Sequence, residues 1–170
     1  MVHLSEVLGL PVFDADGSRA GRVDDLRVDS HRGIVDCLVL RVRGNVCSVP
    51  WSAVGSVSPE HRRVALVESA VLATWSGGVA DTICLKRDVL DRQIIDTQGR
   101  KVVRVNDIAL ETAGDLLVLR RVEVGLAGAV RRLLAGVISP RLLRRLADGL
   151  SQQGIPWDYV GMVEPGSAPE

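Results

Sequence analysis

Five aspartates crowd the first thirty residues: Asp14, Asp16, Asp24, Asp25 and Asp29. Carboxylates at that density suggest a hard cation, which takes several oxygen ligands converging on one point. Their spacing, however, is that of a turn followed by a strand, and it reads as turn chemistry plus solvated strand edges. Asp25 stands apart because an identical residue, Asp107, recurs in an equivalent context. Its carboxylate is expected to take backbone N–H groups close by in the chain. His3, His31 and His61 are scattered, with no ligand-like spacing to cysteine or to each other. Cys37, Cys47 and Cys84 are odd in number and form no CxxC. Cys37, inside "IVDCLVL", reads as a small buried hydrophobe. The sequence has no GxSxG, Walker loop or HExxH. The reading therefore assigns no catalytic residue, no metal ligand and no cofactor, and an enzyme is not expected.

The basic residues offer different chemistry. Lys plus Arg and Asp plus Glu each number 21, so there is no global pull toward nucleic acid. Between residues 120 and 145, though, seven arginines face a single acid, Glu123. Arg131, Arg132, Arg141, Arg144 and Arg145 are the candidate partner-binding residues. They read as a solvated helix face, as a surface for an acidic partner or the anionic inner leaflet, or as an RNA contact. No aromatic residue lies between Trp75 and Trp157 to stack a base, which disfavours RNA.

The elements that carry these residues repeat. Residues 5–29 align without a gap on residues 87–111 at an offset of 82, with seven of 25 pairs identical. Asp14/Asp96, Gly17/Gly99, Val23/Val105 and Asp25/Asp107 are among them. "VFDADG" and "IIDTQG" are each a strand entering a turn, with Asp first and Gly fourth to accept positive φ. Val23 to Leu26 and Val105 to Ile108 step by three, where a regular strand alternates by two. The same slip twice predicts a bulge or bend at Asp24–Asp25 and at Asn106–Asp107. "VPWSAV" at Trp51 and "IPWDYV" at Trp157 close the two units, with Pro ending a strand. Both tryptophans are expected to pack in the core or between the halves. Trp75 is expected to seal the contact between them.

Asp14, Gly17, Asp25 and Trp51 thus mark the first repeat, and Asp96, Gly99, Asp107 and Trp157 the second. The residues at 1–70 form the first unit, 71–80 a linker, and 81–161 the second unit. A helical insertion at 126–150 interrupts the second unit, and 162–170 is a flexible tail. The fold class is all-β with minor α: two small barrels in tandem. Each is thin enough that mutual packing, and self-association of the chain, are expected. No apolar run reaches membrane-span length, and the N-terminus lacks a signal-peptide pattern, so a cytoplasmic, non-transmembrane chain is expected.

The pattern of apolar-apolar-Asp-x-x-Gly, Gly-x-Val-x-Asp and a Pro-Trp tetrad resembles the PRC-barrel family. The first copy is "VFDADGSRAGRVDDLRVD" with "VPWSAV". The second is "IIDTQGRKVVRVNDIALE" with "IPWDYV", and it has Val103 where the first has Gly21. The stretch "LDRQIIDTQGRKVVRVNDIAL" with "VEVGLAGAVRRLLAG" and "IPWDYV" is similar to the paired PRC-barrel region that precedes MgtE-type and CBS domains in magnesium-transporter-like bacterial proteins. That resemblance implies a non-enzymatic interaction or regulatory module beside a divalent-cation transporter at the inner face of the membrane. Its partner would be a membrane transporter, or MgtE-type and CBS domains of the kind that follow such regions. The alternative it implies is an adaptor in RNA or ribosome processing, after the ribosome-maturation branch of the family.

Overall fold

The computed structural model describes residues 1–67, 73–74, 79–125, 134 and 154–162. The chain is mostly β with short helical turns. The first half runs β1 (Val2–His3), α1 (Leu4–Val7), β2 (Pro11–Phe13), β3 (Arg19–Asp29), β4 (Val35–Val42) and β5 (Asn45–Pro50). A 3-10 turn (Trp51–Ala53), β6 (Val54–Ser58) and β7 (Arg63–Leu66) complete it. Then come β8 (Ala73–Thr74) and β9 (Thr82–Cys84). A π-helical turn (Leu85–Val89) leads into β10 (Gln93–Asp96), β11 (Lys101–Arg104), β12 (Asp107–Ala113) and β13 (Leu116–Glu123). Beyond the insertion lie β14 (Gly154–Pro156), a second 3-10 turn (Trp157–Tyr159) and β15 (Val160–Met162).

The largest sheet has the order β6-β7-β2-β3-β4-β5-β8, with β9 also pairing β3. A second sheet is β1-β12-β13-β14 and a third is β11-β10-β15. The predicted slips are real. The β3–β4 register shifts between Val23 and Asp25, and in the second half the strand is interrupted between β11 and β12. The extra residue turns Val23 and Leu26, and likewise Val105 and Ile108, to the same interior. A further bulge occurs at Arg27/Val28 and again at Ala109/Leu110, equivalent positions at the same offset. The apolar spacing in the sequence carries no sign of it.

The hairpin between β4 and β5 turns on Arg43 and Gly44, both with positive φ. Two such residues in a two-residue loop match the right-handed twist of the strands. The insertion occupies the same connection in the second half, between β13 and β14. Of its 126–150 span only Leu134, in helical conformation, is described. Arg131, Arg132, Arg141, Arg144 and Arg145, like Trp75 and all of the tail but Met162, lie outside the described residues. Within the segment read as a linker, Ala73 and Thr74 form β8 and pair with β5.

The two halves exchange their N-terminal arms. β1 pairs with β12 of the second half, and β9 pairs with β3 of the first. Val2 sits opposite Leu110, and Ile83 sits opposite Val28. Leu4 and Leu85 open the helical turns that follow, and both are fully buried. These pairs differ by 81 residues, whereas Val7 and Val89 differ by 82. The second arm therefore carries one extra residue, which widens an α-turn closed by Leu8 N on Leu4 O into a π-turn closed by Leu90 N on Leu85 O. The apolar side chains form one cluster across the junction, with Leu4, Val7, Leu26 and Leu38 joined to Leu85, Val89, Ile108 and Leu110.

Candidate interaction cleft between the two halves

Each exchanged arm is pinned by one aspartate. Asp107, fully buried, accepts from Ser5 Oγ at 2.6 Å, Ser5 N at 3.2 Å and Ile108 N at 2.8 Å. Asp25 accepts from Lys86 N at 2.7 Å, Arg87 N at 3.1 Å and Leu26 N at 2.7 Å. The expected local hydrogen bonds are present in Leu26 and Ile108. The remaining donors come from the other half, 61, 62 and 102 residues away in sequence. A carboxylate with two oxygens at a strand bend has acceptor capacity left after its local bond, and the arm's unpaired N–H groups take it. Burial pushes both carboxyls above the ordinary aspartate range, against the pull of these donors.

The tryptophans act in the same reciprocal way. Trp51 Nε1 donates to the Asp115 carbonyl in the β12–β13 turn at 3.0 Å. Trp157 Nε1 donates to the Ser30 carbonyl in the β3–β4 turn at 3.1 Å. Trp157 is buried, and its ring lies 3.3 Å from where a side chain on Gly33 would begin. Gly33, at positive φ, also passes its carbonyl to Leu119 N. Trp51 is only partly buried, so packing does not exhaust its surface.

The turn markers differ between halves. Asp14 Oδ1 accepts from Ser18 N at 2.8 Å, and Gly17 takes the positive φ expected of it. Asp96 Oδ1 accepts from Gly99 N at 2.8 Å and Gln98 N at 3.1 Å. Here Gly99 does not adopt positive φ. Arg100 does, and a Cβ on Gly99 would press on the Asp96 carboxylate, which would have to shift. Cys37 is buried with its thiol pushed up by burial. Burial also drives Cys84 up to about 11, which leaves a poor nucleophile.

One polar group escaped the sequence reading. His3 lies between Glu6 and Glu123, with Nδ1 3.4 Å from Glu6 Oε2 and Nε2 3.9 Å from Glu123 Oε1. Arg121 Nε donates to Glu123 Oε1 at 2.9 Å, while Glu123 Oε2 and His3 Nε2 make no hydrogen bond. The register puts Glu123 opposite Asp107, as it puts Val39 opposite Asp25. Single-residue types gave no signal for this cluster, since its members come from three elements, β1, α1 and β13. Among the described residues no group of three or more His, Cys, Asp or Glu is arranged to hold a metal ion.

An open cleft of about 680 Å³ lies between the halves. All five residues of β6 line one wall, with Trp51 at one end. Leu116, Leu117 and Thr112 of the β12–β13 hairpin, with Met1 and Val2, line the other. A match to known families bears on the wall that carries β6. Residues 1–70 match the family described as the PRC-barrel domain.

The first half is a PRC-barrel domain. Its Asp14, Gly17, Asp25 and Trp51 are the turn, clamp and closing residues described above. The PRC-barrel is a non-catalytic domain family. No curated protein matches the chain. Among the described residues no helix is long and apolar enough to cross a membrane. The cleft thus has β6 of the PRC-barrel domain for one wall, and the β12–β13 hairpin with Met1 and Val2 for the other.

Proposed function

We propose that the chain is a non-enzymatic interaction module in which a second PRC-type unit, at 81–161, is locked to the first. Its task is regulatory, at the cytoplasmic face of a divalent-cation transport system. The observation that supports the module is the reciprocal junction: Asp25 and Asp107, at equivalent bends, each hold the other half's arm. An assembly held this way presents one surface and leaves the cleft between its halves open. The transport link rests on the resemblance of the 90–160 region to magnesium-transporter-like proteins.

The test is co-purification of the full chain with an MgtE-type transporter in membranes, with and without the basic insertion. Replacing 126–150 by a short turn is expected to abolish association if Arg131, Arg132, Arg141, Arg144 and Arg145 form the contact. Undiminished association would remove the insertion from the interface. Salt-sensitive RNA binding with a ribosome-assembly defect would instead favour the adaptor reading.

A further inference from the structure

We infer that the cleft receives an extended, basic segment of a partner protein, which adds as a further strand along β6. The inference rests on the interaction-module reading and names its binding surface. β6 is the last strand of its sheet, and among the described residues its ladder partner is β7 alone. A strand edge left without a partner carries unpaired N–H and C=O groups, which serve as a template for another chain. All five β6 residues line the cleft, so the edge opens onto a bounded space.

The lining selects the side chains. Three large apolar residues left exposed by the fold, Met1, Val67 and Leu116, gather here. Ser52, Ser56, Ser58 and Thr112 add hydroxyls. Among the described residues that line the walls, the charged side chains are Glu60 and Asp115, with no Lys or Arg. Glu60 follows the C-terminal end of β6. Asp115 stands by Trp51 at the N-terminal end, through its carbonyl. At about 3.3 Å per residue, the five residues of β6 between these two ends span roughly 17 Å. The segment that fits carries Lys or Arg at both ends and small apolar or hydroxylated residues, four or so, between them. Backbone pairing gives it affinity and the end charges give it selectivity, as in other strand-addition complexes.

The test uses the full chain and three acetylated seven-residue peptides. One has lysines flanking a Thr/Val centre, one has glutamates in their place, and one is the lysine peptide with alternate backbone nitrogens methylated. Titrations are followed through the backbone amide resonances. The lysine peptide is expected to shift the amides of residues 54–58. It should bind roughly tenfold tighter than the glutamate peptide, the sum of two screened ion pairs. Methylation should abolish binding by removing the ladder donors. The exposed pair Glu60→Lys with Asp115→Lys keeps the Asp115 carbonyl for Trp51, and should reverse the charge preference. Equal binding of the two charge types, binding that survives methylation, or no binding at all would overturn the proposal. So would concentration-dependent pairing of the chain through the same amides, which would assign the edge to a second copy. Peptide binding at β6 without transporter association would leave this surface standing and remove the transport link. The converse would remove the surface alone.

Discussion

At the residue scale, two aspartates decide how the halves hold together. Asp25 and Asp107 each satisfy three backbone N–H groups or two with a hydroxyl, in a buried site. Asp25→Ala or Asp107→Ala leaves those donors buried and unpaired, and should cost about 3 kcal/mol in urea denaturation. The pH response has a definite sign. Burial raises both carboxyls above 3.8, so across that window the folded chain holds more protons than the unfolded one. Their contribution to stability therefore falls as pH rises from about 4 through the folded values. Asp24 and Asp88 pull the other way. Burial acts to raise each, but Lys86 and Arg41 at Asp24, and Arg87 at Asp88, outweigh it and lower both. The stability these two contribute is lost as pH falls below the ordinary aspartate value. Asp107→Asn should flatten the decline above pH 4 and leave the acid limb in place, as read by denaturation midpoints over that range.

At the scale of elements, glycine and tryptophan positions show where backbone meets backbone. A Cβ on Gly21 would lie 2.9 Å from the Arg41 carbonyl oxygen and 3.0 Å from a Val42 methyl. The second repeat has Val103 at this place, on β11, whose ladder partner among the described residues is β10. Gly21→Val should therefore cost roughly 1–3 kcal/mol by overpacking. The reverse change, Val103→Gly, should cost less, about 1 kcal/mol for the flexible residue it introduces. Calorimetry of both variants checks the asymmetry. Trp157→Phe removes a buried ring's hydrogen bond to Ser30 along with packing area, and should destabilise more than Trp51→Phe, whose ring is partly open to the cleft. Equal losses from the two would contradict the different burial of the closing residues.

At the scale of the whole molecule, one apolar cluster runs through both halves and each half lends the other its first strand. Neither half completes its sheets alone. Unfolding is expected as a single transition, with near-ultraviolet circular dichroism and the amides of β4 and β13 giving the same midpoint. Two separated transitions would mean that the halves fold independently and that the junction contributes little. The same interlocking explains the open cleft. The halves are tied at their arms and tryptophans, and the walls between those ties are left apart.

The amino-acid sequence determined the principal strands and the first bend of each half without help, because these depend on neighbours in the chain. The three-residue apolar step at Val23 and Val105 reports a bulge since only an extra residue keeps both ends facing inward. The repeat also marked Asp25 and Asp107 as equivalent. What the residues' order left undecided was the direction of their hydrogen bonds. A carboxylate at a bend is satisfied equally well by local or by distant N–H groups, and the choice depends on which arm the packing brings near. The His3–Glu6–Glu123 group and the cleft walls from Trp51 to Leu117 follow from how the two halves pack. They join residues far apart in the chain, where no spacing rule reaches and the burial of Leu4 and Leu85 across the junction sets the geometry.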